Sequence, residues 1–293
     1  MNLIDISSWQ RGLDLSTLFA QNPSLDGVIV KSTGGASYVQ DTCDPWVQWL
    51  IAHGKPWGFY HFLDDDCKHS SGKTEAEWWV KNCRDYFGVG MPFADYEAQA
   101  KDHGTKYLKE FLDTVYDLTG VKAGVYCSLS VVQTQNFTAI AEAGYPLWVA
   151  QYANYNRVDG FLDRPWQYGS VAPFDRYVMQ QYTSMGYLNG YDGRLDFDKF
   201  DGTAEDWRQM ASGVAPQPVP VLKPADPSVV LSVLHGDYGT GNQRITALTN
   251  AGYDAENVQK KVNELYGISL SCKRYIGDNM PYLNSIEWIL KCL

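Results

Sequence analysis

Residues 57–97, WGFYHFLDDDCKHSSGKTEAEWWVKNCRDYFGVGMPFADYE, read as strand, helix, strand. Trp57–Leu63 is short, aromatic and bounded by turn residues, the pattern of a buried strand. Thr74–Phe87 carries apolar residues at helical spacing and is followed by Gly88, a residue suited to a helix C-cap. Pro92–Glu97 is a second strand. A strand that returns through a helix to another strand builds a parallel sheet covered by helices.

The same alternation extends in both directions. Leu3–Ser7 and Val28–Thr33 are strand candidates before it, and Ala123–Ser128, Leu147–Tyr152, Tyr177–Thr183 and Arg194–Phe200 follow it. Thr105–Thr119 reads as a helix ending at Gly120. Eight strands suggest a closed barrel, and the later crossovers are too short for full helices. The predicted fold class is therefore α/β, an irregular (β/α)8-like barrel over residues 1–212. Residues 213–227, GVAPQPVPVLKPADP, hold five prolines. They can form neither a helix nor a central strand and read as a stiff linker. Residues 228–293 are predicted to be a small all-α domain, with three short helices over 228–265 broken at HGDYGTGNQ and AGYD.

The net charge is −10. Of the charged residues, 17 Lys+Arg and 27 Asp+Glu lie in 1–221, and seven of each follow. An acidic surface repels phosphate backbones, which excludes nucleic acid as a natural partner. No apolar run reaches the ~18 residues that span a membrane. MNLIDISSWQ lacks the basic and apolar regions of a signal peptide. Cys43, Cys67, Cys83, Cys127, Cys272 and Cys292 form no CxxC pair, and no Cys/His cluster has zinc spacing. They read as free thiols, with a Cys272–Cys292 staple as the one pairing to consider. No metal or organic cofactor is expected.

The chemistry concentrates at strand ends. In PFADYE the period of two points Asp95 and Glu97 the same way, at the rim where parallel barrels build active sites. Two carboxylates held close push their pKa values apart, so one can act as a general acid while the other stays charged, as glycoside cleavage requires. Asp5 lies in the first strand, and Asp196 and Asp198 lie in the last. In a closed barrel those strands are neighbours, so Asp5 and Asp196 should meet. Trp9, Tyr60, Tyr126, Trp148, Tyr152 and Tyr182 crowd the same ends, either as core or as a platform for sugar faces. Lys31 is a candidate donor or ion-pair partner. His61 reads as a packed, satisfied histidine.

These residues sit in blocks that together resemble glycoside hydrolase family 25, the lysozymes of phages, bacteria and fungi. The blocks are IDISSWQ (4–10), VIVKSTGGASYVQD (28–41), GFYHF (58–62), ADYE (94–97), GVYCS (124–128), LWVAQY (147–152), QQYTS (180–184) and LDFDKF (195–200). The resemblance implies cleavage of the β-1,4 bond between N-acetylmuramic acid and N-acetylglucosamine in peptidoglycan. It makes Glu97 the general acid/base and Asp95 its partner, which steadies or orients the substrate acetamido group. Asp5 and Asp196 complete the active-site acids. Substrate contacts fall to Lys31, Tyr60, Tyr126, Trp148, Tyr152, Gln181 and Tyr182. The nucleophile, whether an enzyme group or the substrate's acetamido oxygen, stays open. Two positions depart from the family pattern: Gln180 replaces a usual Trp, and Asp198 a usual Asn.

Residues 234–265 resemble a Cpl-seven-type wall-binding repeat, which implies binding to muropeptide through Tyr238, Gly239, Asn242 and Arg244. A structural cap or an assembly module, with a homodimer formed through the C-terminal domain, is the other reading. The expected whole is a phage-type endolysin, made in the host cytoplasm and released to the wall through a holin pore. A chitinase-like hydrolase and a non-catalytic peptidoglycan-binding protein remain as alternatives.

Overall fold

The computed structural model describes residues 1–213 and 223–264. The chain divides into two compact units, Met1–Pro216 and Gln217–Leu293.

In the first unit eight strands close a barrel: β1 (Asn2–Ile6), β2 (Gly27–Gly34), β3 (Trp57–Phe62), β4 (Met91–Asp95), β5 (Gly124–Ser128), β6 (Leu147–Ala150), β7 (Met179–Tyr187) and β8 (Leu195–Phe200). They follow one another around the sheet, and β1 pairs with both β2 and β8. Pairing is parallel from β1 to β7. It is antiparallel on both sides of β8, a departure from the parallel sheet expected. The cause is chain length: a parallel return needs about a dozen residues, and residues 188–194 allow only a hairpin. The reversal has a consequence for the site. The start of β8, rather than its end, lies at the rim formed by the C-terminal ends of β1–β7, and this brings Asp196 opposite Asp5.

Helices α1 (Leu15–Gln21), α2 (Cys43–Ala52), α3 (Gly72–Cys83) and α4 (Gly104–Thr119) follow the first four strands. Only the short α5 (Leu129–Thr134) and α6 (Thr138–Glu142) follow β5, and α7 (Ala204–Ala211) follows β8. The Asp14 carboxylate caps α1, the Ser71 hydroxyl caps α3, and Gly120 ends α4 in the left-handed conformation. Gly88 does not cap α3. That helix stops at Cys83, a 3-10 turn intervenes, and Gly88 makes the turn into β4.

Alternation along each strand separates two apolar layers. Outward residues such as Ile4, Val30, Phe59, Tyr96, Val149 and Phe197 pack beneath the helices. Inward residues Leu3, Ile29, Tyr60, Phe93, Tyr126, Trp148 and Phe200 fill the barrel, and Trp207 of α7 packs with them. Its indole donates to the Trp57 carbonyl at 2.9 Å. Burying a side chain of this size stabilises the fold by roughly 3 kcal/mol. With hydrophobic side chains filling the lower interior, polar side chains are left for the opposite rim. A Cβ at Gly124 would lie 2.6 Å from the Phe93 ring, so that layer admits no larger residue there.

The second unit contains α8 (Pro227–His235), α9 (Gly241–Asn250) and a third helix over residues 255–264. Val229, Val230, Val233, Leu248, Val258 and Val262 form its core. This is the three-helix arrangement expected. Among the described residues no helix is long and apolar enough to cross a membrane. Cys43, Cys83 and Cys127 are buried free thiols and Cys67 is an exposed one. Cys272 and Cys292 lie outside the described residues.

Candidate active site

An open cavity of roughly 610 Å³ lies at the rim, lined by Asp5, Asp95, Glu97 and Asp196 together with Lys31, Tyr60, Tyr126, Trp148, Tyr152 and Gln181. Ten of the eleven expected catalytic and substrate-contact positions therefore converge. Tyr182 does not. It follows the inward Gln181, so the strand period turns it outward, where it packs against Phe197 and its hydroxyl accepts from the Leu162 amide at 3.2 Å. Gln180 is also outside the cavity. Its amide donates to the carbonyls of Gln151 and Trp166, fastening the long β6–β7 crossover. Its departure from the family pattern thus affects the outer layer.

Asp95 ends β4, and Glu97 stands two residues on in extended backbone, at the start of a 3-10 turn over Ala98–His103. Tyr96 between them is fully buried in the outer layer, which holds the two carboxylates on the cavity side. Asp95 is 6% exposed, and its Oδ1 has no hydrogen-bond partner among the described residues. Burial, then the charges of Glu97 and Asp5, push it well above the ordinary carboxylate range. Burial also raises Glu97, while Lys101 and Lys31 oppose the shift. Both groups thus favour the proton-bearing state that a general acid needs.

Across the cavity, Gln181 donates to Asp5 at 2.6 Å, and Tyr126 donates to the Gln181 carbonyl at 2.8 Å. Tyr152 donates to that same oxygen. The two phenols orient the amide so that its N–H₂ must face Asp5. Asp5 is consequently raised only to about 6, burial outweighing the Gln181 bond. Asp196, with no such donor among the described residues, is pushed by burial and then by Asp5 up to about 8. Asp198 is fully buried and is pushed well above the ordinary carboxylate range, through burial and then the charges of Asp5 and Asp196. Its Oδ1 accepts the Trp148 indole N–H at 2.9 Å. A protonated Asp offers one acceptor and one donor on an Asn-like frame, so this departure keeps the shape of the usual residue.

Lys31 bridges to Asp65 at 2.8 Å over the face of Phe62, bringing a positive charge to the carboxylate side. Sequence reasoning missed Tyr191 and Arg194, which also line the cavity from the β7–β8 hairpin. Their only signal was position beside LDFDKF. Trp9 stands at the rim 89% exposed. His61 is a structural residue: fully buried, it bonds Thr33 and Glu75.

Residues 4–191 match the model of Glycosyl hydrolases family 25, and residues 228–266 match the CW_7 repeat. The chain belongs to glycosyl hydrolases family 25. It is a glycoside hydrolase by that membership. The lysozyme of Streptococcus phage Cp-7 is 25% identical over 279 residues, spanning 89% of this chain and 69% of that one. The autolytic lysozyme of Clostridium acetobutylicum is 23% identical over 207 residues, covering 68% and 56% of the two chains. The bacterial lysozyme structure from Streptomyces coelicolor superposes with a TM-score of 0.57 at 21% identity, over 73% of this chain and 98% of that one. The barrel is thus the fold of this family.

In the second unit, Tyr238 packs against the core and Gly239 has φ +68°. Arg244 donates to the Gly239 carbonyl at 3.0 Å and to Gln259 Oε1 at 2.9 Å, while also lining a cleft with Gly236, Thr240 and Val262. The Asn242 side chain lies outside the described residues. One further cluster, Asp64, His69 and His103, has metal-ligand geometry. Sequence spacing gave no sign of it, because the two histidines stand 34 residues apart.

Proposed function

We propose that this chain is a muramidase of bacterial peptidoglycan, cutting the β-1,4 bond between N-acetylmuramic acid and N-acetylglucosamine. The observation that carries the reading is the Asp95–Glu97 pair, held on one face at the mouth of an open, aromatic-lined cavity with both carboxyls biased toward protonation. Glu97 gives its proton to the glycosidic oxygen and, as the conjugate base, later takes one from the incoming water. Asp95 orients the acetamido group at the reacting sugar. Asp5, fixed by Gln181, and Asp196 line the opposite wall, where they bind sugar hydroxyls. Trp9 extends the platform for a neighbouring ring, and Lys31 with Tyr60, Tyr126, Trp148 and Tyr152 holds the chain.

The CW_7-type repeat serves as a wall anchor, tethering enzyme to an insoluble substrate and so raising its local concentration. Residues 213–227 link the two. A second copy joined through the C-terminal domain would add avidity. The delivery that suits a phage-type endolysin is synthesis in the host cytoplasm and release to the wall through a holin pore, and the likeness to the Cp-7 lysozyme supports it.

Digestion of purified cell walls followed by borohydride reduction tests the bond assignment. New reduced N-acetylmuramic acid is the expected product. Reduced N-acetylglucosamine would indicate a chitinase-like specificity, and no new reducing end would indicate a binding protein; either overturns the proposal.

A further inference from the structure

We propose that Asp64, His69 and His103 form a binding site for a divalent transition-metal cation of the Zn²⁺ class, which staples the loop after β3 to the turn that follows Glu97. His69 Nδ1 lies 2.9 Å from Asp64 Oδ2, His103 Nε2 lies 3.0 Å from the same oxygen, and the two ring nitrogens are 3.2 Å apart. Three ligand atoms therefore form a near-equilateral triangle. Zn²⁺ bound at 2.0–2.1 Å in tetrahedral geometry places its ligand atoms about 3.3 Å apart, so the triangle accepts the ion with small side-chain shifts.

Hydrogen bonding alone accounts poorly for this arrangement. If both imidazoles donate to Asp64 Oδ2, two N–H groups converge on one oxygen with their nitrogens nearly in contact. A cation satisfies all three atoms at once. Two imidazoles and one carboxylate suit Zn²⁺, Co²⁺ or Ni²⁺ rather than Mg²⁺ or Ca²⁺, which prefer all-oxygen shells.

The surroundings resemble the outer support of a metal site. The Asp64 side chain is fully buried, and its free Oδ1 accepts the His69 amide at 2.9 Å. Its own amide donates to the buried Glu75 at 2.9 Å, and its carbonyl accepts from Gln99 at 2.5 Å. Asp64 and His69 both hold left-handed backbone, at φ +53° each, in a loop without glycine at those positions. Such conformations are strained for residues with a Cβ and persist where surrounding structure fixes them. The His69 side chain is 63% exposed and that of His103 23%, which leaves the remaining coordination positions open to water.

The location gives the ion a task. Gln99 and His103 belong to the 3-10 turn beginning after Glu97, and the Leu63 amide donates to the Asp95 carbonyl at 3.1 Å. Asp65, next to Asp64, holds Lys31. A cation here would fix both carboxylate-bearing backbone segments from behind without touching the substrate.

The test uses the full chain carrying Cys67→Ser, so that the exposed thiol on the same loop contributes no zinc. After equilibration with Zn²⁺ and gel filtration, metal analysis should find one more equivalent in this protein than in the same chain with His69→Ala and His103→Ala added. Zn²⁺ should raise the melting temperature of the first protein, whereas Mg²⁺ should not. Co²⁺ should give the visible absorption of a four-coordinate ion, lost in the double-alanine chain. Asp64→Asn, which keeps an acceptor for the His69 amide, provides a second comparison should the double variant fold poorly; it should also lose the equivalent. Equal zinc in all three proteins, or a melting temperature indifferent to Zn²⁺, would overturn the site.

Discussion

Asp196→Asn isolates the electrostatic cost of the acid cluster. In the folded protein Asp196 titrates at about 8 against an ordinary 3.8, chiefly through burial and then through Asp5 and Glu97. A raised carboxyl contributes its full stability below the unfolded value and loses it as pH rises through the folded one. At 1.36 kcal/mol per unit, an isolated group with this shift would forfeit about 5 kcal/mol between pH 4 and pH 8. Asp196 shares its protons with Asp5, Asp198 and Glu97 and is partly exposed, so roughly 1–3 kcal/mol is the expected recoverable part. Asn has the same shape and no charge to desolvate. Urea unfolding of both proteins at pH 4 and pH 8 reads the difference directly. The Asp196→Asn protein should gain about 1–3 kcal/mol over the parent at pH 8 and none at pH 4, or roughly 2–4 °C in melting temperature per kcal/mol for a domain of this size. Identical pH dependence in the two proteins, or a gain confined to acid pH, would refute the assignment of a raised carboxyl.

Asp95→Asn keeps the shape of the side chain but removes a carboxyl that burial holds toward its protonated form, so hydrolysis should fall severely while the melting temperature holds or rises; a rate measurement and a thermal melt check both. Gln181→Leu removes the only amide donor described at Asp5 and strands two phenols, so it should cost about 1–3 kcal/mol in thermal melting and reduce hydrolysis. Arg244→Ala leaves the Gly239 carbonyl and Gln259 without their donor, so wall pull-down should weaken together with the melt of the second unit. Lost pull-down with an intact melt would instead mark Arg244 as a recognition residue.

The barrel was legible because period-two strands and helical stretches alternate without interruption through β4. Asp95 and Glu97 were legible for the same reason, since a strand fixes which neighbours share a face. That rule also explains the failure at Tyr182. Gln181 and Tyr182 cannot both enter the cavity, and the inward position belongs to Gln181. The reversal of β8 was written in the short hairpin at 188–194, but an apolar run looks alike in either direction. Glu75 and the Asp64–His69–His103 cluster were invisible, because they join residues that only the barrel brings together. Arg244 was readable as a repeat residue, although its bonds to Gly239 and Gln259 depend on how three helices pack.

Proton transfer by Glu97 is the central step, and Glu97→Gln tests it most directly. The release of reducing N-acetylmuramic acid from purified walls should be measured for both proteins at the pH optimum of the parent. Gln keeps the shape of the side chain and removes the transferable proton, so the rate should fall by ~10²–10⁴-fold while the melting temperature holds or rises. A variant that released the same sugar within a few-fold of the parental rate would contradict the central claim.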